Sequence, residues 1–464
     1  MVFSSSLFLF FFFPITLLLY YILKPWRVLQ NIHLVLVSLL FYAWGEPQNI
    51  VLMLISIIVN WLLGIIVDKY KISNKLSFFI ISITVLFNIG ILFYFKYLDF
   101  FTRMFGYDVK NATELPIGIS FFTFQAISYV VDIYRGNGAK QVNPLNVALY
   151  ISFFPQLIAG PIVRYETVAE QIKNRKETVR DFIYGLERFI IGFSKKLLLA
   201  NSFAPIADFC FNNLDKIATP LAWLGAICYT LQIYFDFSGY SDMAIGLGRM
   251  FGFKFNENFN NPYISSSVTE FWRRWHISLS SYFKDYVYIP LGGSHVNSSI
   301  RRIFNLFVVW LLTGLWHGAN YTFLLWGLWY FVLLVIEKYA CPPLRNTIVK
   351  AIMAHFYTII AFVIGWVIFR AENASNAIKY LSKMFSVGDL TMDPFSLYMY
   401  QDISILLILG MVLTTPLIRK YIIEKYINFT LVRLSYFIFL VIVFILSISS
   451  MVNSSYNPFI YFNF

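Results

Sequence analysis

The sequence predicts an all-α, polytopic integral membrane protein, and two features of its composition and patterning support this fold class. Of its 464 residues, 59% are hydrophobic and only 13% are charged, whereas a soluble domain is usually about half apolar. Apolar runs recur along the chain, and several approach the length of about 20 residues that a helix needs to cross a bilayer. They predict about 10–12 transmembrane helices, accompanied by interfacial amphipathic helices.

The first apolar run covers residues 7–23 and is expected to stay in the protein as a transmembrane helix. No basic segment precedes it and no small-residue cleavage site follows it, so it does not fit a signal peptide. The further runs that suit a crossing are residues 50–67, 76–95, 117–131, 145–163, 217–235, 306–336, 352–369, 403–418 and 434–452, with shorter candidates at 34–44 and 189–200. Polar stretches such as 164–181 are too short to form soluble domains, so residues 1–464 are expected to form a single membrane domain.

The distribution of charge predicts the topology of the chain and excludes some partners. Lysines and arginines follow the first and third apolar runs and precede the last, whereas neither end of the chain carries charged side chains. The positive-inside rule then predicts that both termini are extracytoplasmic and that the number of crossings is even. The net charge of +12 suits loops that face an anionic lipid bilayer, and no motif indicates nucleic-acid binding.

The cysteines do not indicate a disulfide framework or a metal site. Cys210, Cys228 and Cys341 are odd in number, lie far apart in the sequence and have no CxxC spacing. We interpret them as packing residues, and no metal ion is expected.

The stretch FWRRWHISLS, residues 271–280, places two arginines and a histidine among three aromatic side chains. Ser267 and Glu270 precede it with the spacing of a capping box, which predicts that a helix begins there and continues through the stretch. At about 100° per residue the aromatic side chains share one face. The opposite face carries Arg273, Arg274, Ser278, Ser280, Ser281, Lys284 and Asp285. His276 lies at the border, and two interpretations remain open: a surface helix whose arginines touch lipid phosphates, or part of a functional site.

A second informative run is TGLWHGANYTFLLWGLWY, residues 313–330. It lies within residues 306–336, which contain no acidic or basic side chain but do contain His317. One straight helix of this length would reach about 46 Å, too long for the bilayer core. Gly314 and Gly318 therefore predict a break beside His317, and an ionisable residue at membrane depth is a candidate site. The alternative is a neutral histidine in a helix-to-helix hydrogen bond.

A third cluster, YFDFSGYSDMAIGLG at residues 234–248, contains Asp236 and Asp242 among aromatic residues and glycines. Buried carboxylates are usually paired with a cation, and Arg273 or Arg274 is the expected partner. We interpret both aspartates as structural polar residues.

These motifs resemble the membrane-bound O-acyltransferase family, and specifically its bacterial alginate O-acetyltransferase branch. The resemblance rests on FDFSGYSDMAIGLGRMFGF, NFNNPYISSSVTEFWRRWHISLSSYFKDYVYIPLGG and LTGLWHGANYTFLLWGLWY, and on LPIGISFFTFQAISYVVDIYRG and FPQLIAGPIVRY nearer the N-terminus. It covers most of residues 1–375, with a motif-bearing core at about residues 115–335. It implies a ring of helices around a thinned central region with a tunnel. His317 matches the family's histidine, and His276 matches a second polar position.

The resemblance also implies a role for each candidate residue. Transfer of an acetyl group from a thioester to an alcohol needs a base, which is assigned to the His317 imidazole. Negative charge on the thioester oxygen needs donors, which His276, Asn320 or backbone N–H groups near Gly318 could supply, with Trp316 in a supporting position. Acetyl-CoA is the implied donor. Its phosphates are expected to bind the cationic side chains of the polar face, namely Arg273, Arg274 and Lys284.

The implied function is a multi-pass O-acetyltransferase of the bacterial cytoplasmic membrane. It would pass acetyl groups from cytosolic acetyl-CoA across the membrane for O-acetylation of an extracytoplasmic or cell-wall polysaccharide, such as an alginate-like exopolysaccharide or peptidoglycan. A separate extracytoplasmic acetyltransferase or acceptor protein would receive the group, so that the polysaccharide is an indirect acceptor. The D-alanyl transferases of teichoic acid modification share the FW-x-x-WHISLS type of stretch but use a carrier-protein donor. A secondary transporter is a further alternative, although the inverted repeats of that class are not visible.

Overall fold

A computed structural model describes residues 1–107, 115–158, 160–340, 347–453 and 460 of the chain. Within these ranges the regular structure is helical and contains no β-strand, which confirms the all-α prediction. Cys210 and Cys228 are buried free thiols, in line with their interpretation as packing residues. Cys341 lies outside the described residues.

The helices of the N-terminal half include one that far exceeds the rest in length, the 32-residue α13. In chain order they are α1 (Phe13–Ile22), α2 (Arg27–Gly45), α3 (Ile50–Lys69), α4 (Asn74–Leu92), α5 (Leu98–Met104), α6 (Ile119–Arg135), α7 (Pro144–Ser152), α8 (Phe154–Leu157), α9 (Tyr165–Val168), α10 (Gln171–Asn174), α11 (Val179–Ser194), α12 (Asn201–Asn212) and α13 (Thr219–Met250).

The helices of the C-terminal half begin with two short ones that contain the FWRRWHISLS stretch. They are α14 (Val268–Arg274), α15 (Ile277–Phe283), α16 (Ser299–His317), α17 (Tyr321–Tyr339), α18 (Ile348–Arg370), α19 (Ala374–Met384), α20 (Pro394–Leu413), α21 (Glu424–Tyr426) and α22 (Thr430–Asn453). Wider π-helical turns occur at Phe8–Phe12, Phe93–Tyr97, Lys195–Ala200, Lys284–Tyr288 and Leu417–Ile423, and 3-10 turns at Leu214–Lys216 and Pro262–Ile264.

Nine helical segments of the described chain are long and apolar enough to cross a membrane, in place of the ten to twelve expected. They are Arg27–Gly45, Ile50–Lys69, Lys75–Met104, Val179–Asn212, Ser299–His317, Tyr321–Tyr339, Ile348–Arg370, Pro394–Leu413 and Thr430–Asn453. The N-terminal apolar run forms a shorter helical segment, Phe8–Ile22. The chain is thus a multi-pass membrane protein.

Besides this N-terminal run, three of the expected crossings are not among the nine segments. Residues 117–131 lie in α6, which has 17 residues and is buried over most of its length. Residues 217–235 lie in α13, whose side chains are also mostly buried. The run at 145–163 does not form one helix, because α7 ends at Ser152. A helix that is apolar all round can face lipid or lie inside the protein, so hydropathy alone did not separate these cases.

The described chain divides into two compact units, Met1–Phe193 with Tyr240–Asn256, and Ser194–Gly239 with Glu257–Phe464. The first unit has a phenylalanine cluster in which the rings of Phe8, Phe41 and Phe154 pack together. The second unit has an aromatic core in which Phe271, Trp275 and Trp366 are at most 3% exposed. Both histidines singled out above lie in the second unit.

Candidate active site

Two buried histidines, His276 and His317, both lie next to the ring of Trp316 in the second unit. The ring centroid of Trp316 is 5.9 Å from that of His276 and 5.0 Å from that of His317. The exposed fractions are 1% for His276 and 4% for both Trp316 and His317. The structure therefore brings His276 close to Trp316 and His317, which lie 40 and 41 positions later in the sequence.

The helix that leads to His276 begins where the capping box predicted. The Ser267 hydroxyl accepts a hydrogen bond from the Glu270 N–H at 3.0 Å, so this cap is confirmed. The Glu270 carboxylate reaches back to the N–H of Ser266 at 3.1 Å, one residue earlier than a capping box requires. The start of α14 thus follows from local side-chain chemistry.

The continuous helix predicted through this stretch is wrong, because the chain breaks between α14 and α15. Each of these helices has seven residues, and His276 between them has φ 43° and ψ 55°. A non-glycine residue in this left-handed region costs about 1–3 kcal/mol and persists only where surrounding contacts impose it. Because of this break, the aromatic residues of α14 and α15 do not share one continuous helix face, as the sequence interpretation assumed.

The interpretation as a surface helix resting on the membrane is also wrong. The aromatic face of α14 is buried in protein: Phe271 is 1% exposed and Trp275 3% exposed. The Phe271 ring lies 5.3 Å from that of Phe362, and the Trp275 ring lies 4.6 Å from that of Trp366. Because α18 supplies these partner rings, α14 is part of the protein core.

The imidazole of His276 lies among aromatic rings and also contacts two polar side chains, Asn258 and Ser278. The ring of Phe237 meets the imidazole edge-on at 4.6 Å, and Nδ1 of His276 lies 3.1 Å from Oδ1 of Asn258. His276 lies outside the nine candidate membrane spans, and burial lowers the pKa of its imidazole to about 3. The ring is therefore neutral at physiological pH.

His317 ends α16 and is enclosed by aromatic rings. Its ring centroid lies 4.9 Å from Trp326 and 5.0 Å from Phe369, and the two rings meet it edge-on. The helix stops because Gly318 is extended, and a Cβ at Gly318 would clash with the ring of Phe323. The predicted break is confirmed at Gly318, whereas Gly314 remains helical and lets the backbone of α17 approach closely.

Asn320, expected as an oxyanion donor, also has a structural task. Its Oδ1 accepts a hydrogen bond from the Thr322 N–H at 3.1 Å and caps α17. Its Nδ2 donates to the carbonyl oxygen of Glu372 at 2.9 Å. One of its two amide hydrogens is therefore committed to the fold.

The three cations expected to bind the donor differ in their surroundings. Arg274 forms an ion pair with Glu270 at 3.0 Å and donates to the carbonyl oxygen of Asn260 at 3.1 Å. Arg273 and Lys284 are exposed. Arg274 thus supports the fold around the break, and the two exposed cations are those that a ligand from solution can reach.

Both aspartates singled out in the sequence are paired, but not with Arg273 or Arg274, so the predicted partners are wrong. In the second unit Asp236 forms an ion pair with Lys196 at 2.6 Å, and both side chains are at most 3% exposed. In the first unit Asp242 pairs with Arg188 at 2.7 Å. The cations lie 40 and 54 residues before their aspartates, so no local sequence spacing relates the partners.

Sequence reasoning assigned no role to two polar residues that hold this site. Asn258 contacts His276, as described above, and Glu337 contacts the first turn of α14: its carboxylate accepts hydrogen bonds from the N–H groups of Val268 and Thr269 at 2.6 and 2.9 Å. Glu337 is 5% exposed. An acidic residue at the end of an otherwise uncharged run was the signal that could have singled it out.

Comparison with known proteins assigns the family. Residues 137–375 match the membrane-bound O-acyltransferase family, MBOAT, and this range contains both histidines. The probable alginate O-acetylase AlgI of Pseudomonas aeruginosa is 44% identical over 401 residues, which cover 84% of this chain and 75% of that protein. The peptidoglycan O-acetyltransferase of Helicobacter pylori is 36% identical over 430 residues, covering 84% and 81%.

A more distant relative is the teichoic acid D-alanyltransferase of Bacillus subtilis, which is 33% identical over 264 residues, covering 52% of this chain and 66% of that protein. The relatives named as O-acetylating enzymes thus share far more of the chain. On the family match and on identities of this size over most of its length, this chain belongs to the membrane-bound O-acyltransferase family and is a multi-pass membrane acyltransferase.

Proposed function

We propose that this enzyme takes acetyl groups from acetyl-CoA on the cytoplasmic side of a bacterial cytoplasmic membrane and delivers them for O-acetylation of an extracytoplasmic polysaccharide. The observation that carries the proposal is the pair of buried imidazoles around Trp316. Support for acetyl transfer comes from relatives whose names specify alginate and peptidoglycan O-acetylation and that align with 84% of the chain.

His317 is the proposed general base. The acceptor oxygen attacks the thioester carbonyl carbon, its proton passes to the imidazole, the C–S bond breaks, and the proton is then delivered to the leaving thiolate. A buried imidazole among the rings of Trp326 and Phe369 supports this role, because an aromatic enclosure excludes water that would hydrolyse the thioester.

The negative charge on the thioester oxygen needs hydrogen-bond donors close to His317. Trp316 is adjacent in sequence, and its indole N–H can donate but not accept. Asn320 lies three residues after His317. Its side-chain amide has two hydrogens, of which one is donated to the carbonyl oxygen of Glu372. We propose these two side chains, with backbone N–H groups near Gly318, as the donors.

The phosphates of coenzyme A are proposed to bind Arg273 and Lys284. Both are exposed cations of the second unit, and they flank the chain break that contains His276. Arg274 contributes by holding the segment through Glu270 and Asn260. A charge-assisted contact with phosphate is stronger than a neutral hydrogen bond. We propose that these cations increase the affinity for acetyl-CoA and take no part in the chemical step.

The proposed topology places both termini outside the cytoplasm. It follows from the larger number of cations at one set of helix ends, whereas Arg103 and Arg370 are at the opposite ends of two of the same segments. The cations of the first set are Lys24, Arg27, Lys69, Lys71, Lys75, Arg301, Arg302, Lys338, Lys350, Arg419, Lys420 and Lys425. Two of the connections at the opposite helix ends, residues 46–49 and 318–320, are too short to hold a polysaccharide. We therefore propose that a separate extracytoplasmic acetyltransferase or acceptor protein receives the acetyl group.

Reconstitution in proteoliposomes tests this function. Radiolabelled acetyl-CoA and a D-alanyl-loaded carrier protein are supplied in turn to the cytoplasmic face, with the extracytoplasmic partner added or omitted on the other side. We expect turnover of acetyl-CoA only, and labelled alginate or peptidoglycan only when the partner is present. Use of the D-alanyl donor would overturn the acetyl assignment, and polymer labelling without a partner would overturn the relay.

A further inference from the structure

Asn258 lies on a non-helical segment that is fixed against the break containing His276. The N–H of Asn260 donates to the carbonyl oxygen of Arg274 at 2.9 Å, and the N–H of Ile277 donates to that of Asn258 at 2.9 Å. These two bonds pair the segment with the backbone on either side of His276. The side chain of Asn258, 1% exposed, thereby faces the break.

One atom of Asn258, the amide oxygen Oδ1, is surrounded by three polar groups. The backbone N–H of Ser278 lies 3.1 Å from it, the Ser278 hydroxyl 2.8 Å, and Nδ1 of His276 3.1 Å. A backbone N–H can only donate, so the amide atom that it meets must be the oxygen. This contact fixes the orientation of the Asn258 amide, which side-chain positions alone would leave ambiguous.

The orientation of the Asn258 amide in turn determines which ring nitrogen of His276 carries the hydrogen. If Nδ1 of His276 carried no hydrogen, its lone pair would face the lone pairs of Oδ1 at 3.1 Å, which is repulsive. The Ser278 hydroxyl, 3.3 Å from Nδ1, is closer to Oδ1 and has one hydrogen to give. Nδ1 therefore carries the hydrogen, and in the neutral ring Nε2 is left with a lone pair.

Nε2 of His276 is buried and makes no hydrogen bond with any described residue. It belongs to a ring that lies against Trp316, the neighbour of His317. A buried acceptor without a partner is costly, and a catalytic or binding role is one of the reasons for which such an atom is retained. An unprotonated Nε2 has no hydrogen to give to an oxyanion.

We propose that Asn258 is a positioning residue that keeps the hydrogen of His276 on Nδ1, so that Nε2 accepts a hydrogen bond from an N–H or O–H group of the bound substrate. This inference rests on the proposed function and replaces the oxyanion-donor role that the sequence suggested for His276. The hydrogen comes from an amide of the donor's pantetheine arm or from a hydroxyl of the acceptor other than the one that attacks. In both cases the proton that leaves during attack still goes to His317.

The first test compares Asn258→Leu, which has a similar shape but no acceptor, with Asn258→Asp, which keeps one. Acetyl-CoA turnover and thermal unfolding are measured for each variant. We expect Asn258→Leu to lose about tenfold or more in kcat/KM, the size of loss typical when an outer-shell partner of a metal-binding histidine is removed, and Asn258→Asp to remain within a few-fold. An increase in KM for acetyl-CoA alone assigns the hydrogen to the pantetheine arm. An increase in KM for the acceptor alone assigns it to the hydroxyl. Activity of Asn258→Leu equal to wild type would overturn the proposal.

A double-mutant comparison separates positioning from a general effect on the fold. In His276→Asn the amide nitrogen lies as many bonds from Cα as Nδ1 does, so the contact with Asn258 is kept while Nε2 is removed, and Asn tolerates the left-handed backbone. On this background Asn258→Leu should cause no further loss, because the two residues act as a unit. If Asn258→Leu reduced activity by the same factor on both backgrounds, Asn258 would act only by stabilising the protein structure.

The pH dependence of activity shows whether Nε2 of His276 acts as a hydrogen-bond acceptor or as a donor. It is measured on one variant, Asn258→Asp, and on wild type. The contacts described for the His276 ring are with Phe237, Trp316, Asn258 and Ser278, none of which titrates near neutral pH. A carboxylate at position 258 raises the pKa of the imidazole, so Nε2 becomes protonated at a higher pH than in wild type. We expect the activity of Asn258→Asp relative to wild type to fall as the pH is lowered, because protonation of the base His317 affects both proteins equally. A gain of activity at low pH would show that the protonated ring is the active form.

Failure of this inference can be told apart from failure of the proposed function. If the wild-type protein does not use acetyl-CoA, the function fails, and the same three comparisons are made with the donor that it does use. If the wild-type protein uses acetyl-CoA and the Asn258 variants do not differ as described, the inference alone fails.

Discussion

Glu337 Oε2 accepts two hydrogen bonds from Thr269, one from its backbone N–H at 2.9 Å and one from its hydroxyl at 2.7 Å. The two residues are 68 positions apart, and the bonds tie the last turn of α17 to the first turn of α14. The other oxygen of the carboxylate accepts the N–H of Val268 at 2.6 Å. One buried acidic side chain thus anchors the segment that leads to His276.

Replacement of Glu337 by Gln is expected to destabilise the protein. The amide has one acceptor oxygen, and its NH2 group would face a backbone N–H that the carboxylate now satisfies. A buried donor left without an acceptor costs about 1–3 kcal/mol, so the melting temperature in detergent should fall. Glu372→Gln is the matched control, because the Glu372 side chain is exposed. Equal melting temperatures for the two variants would contradict the anchoring role of Glu337.

The buried pair of Lys196 and Asp236 provides a second stability test. Removing the ammonium group in Lys196→Met leaves the carboxylate uncompensated at 1% side-chain exposure. Breaking a buried pair in this way typically costs about 3–5 kcal/mol. The double variant Lys196→Met/Asp236→Asn should recover part of this loss, because Asn carries no charge and still offers an acceptor to the Ile460 N–H.

Thermal unfolding of the single and double variants measures the effect. Arg419→Gln is the control, since its pair with Glu424 is more than half exposed at both side chains and exposed pairs contribute little. A double variant less stable than Lys196→Met would show that the pair is not the source of the loss.

The two neighbouring arginines should respond differently to the same substitution. Arg273→Gln removes an exposed cation and is expected to raise KM for acetyl-CoA about three- to tenfold with little change in kcat. Arg274→Gln removes the bonds to Glu270 and Asn260 and is expected to lower the melting temperature instead. Steady-state kinetics and scanning fluorimetry on both variants check this. An unchanged KM for Arg273→Gln would remove Arg273 from the donor site.

The parts of the site that sequence could predict are those fixed by local chemistry. The start of α14 follows from the Ser267 hydroxyl and the Glu270 N–H, three residues apart. The end of α16 at His317 follows from Gly318, where a side chain would clash with Phe323. Both signals lie within a few residues of the feature that they determine, so a capping pattern and a glycine were sufficient to find them.

The parts that sequence could not predict depend on contacts between distant segments. The left-handed backbone at His276 is imposed by the segment around Asn258, about 18 residues earlier. A periodicity argument treats α14 and α15 as one helix, because the aromatic spacing continues across the break. In the same way, the partners of Asp236 and Asp242 come from helices that only the tertiary fold brings near.

The proposed topology predicts which side of the membrane each cation occupies. In a variant without the native cysteines, Lys420→Cys should react with a membrane-impermeant maleimide only after the cells are permeabilised. Tags at both termini should be accessible in intact spheroplasts. Labelling of Lys420→Cys in intact cells, or protected tags, would reverse the orientation and with it the compartment assigned to acetyl-CoA.

The most direct test of the account is acetyl-CoA turnover by purified His317→Asn protein in proteoliposomes. Asn removes the base but keeps a polar side chain at the end of α16, and His295→Asn, in an exposed loop, is the matched control. Loss of a general base should cost about 100-fold or more. We predict that His317→Asn, at wild-type expression and melting temperature, retains less than about a hundredth of the activity, while His295→Asn is fully active. Retention of more than about a tenth by folded His317→Asn would show that His317 is not the base.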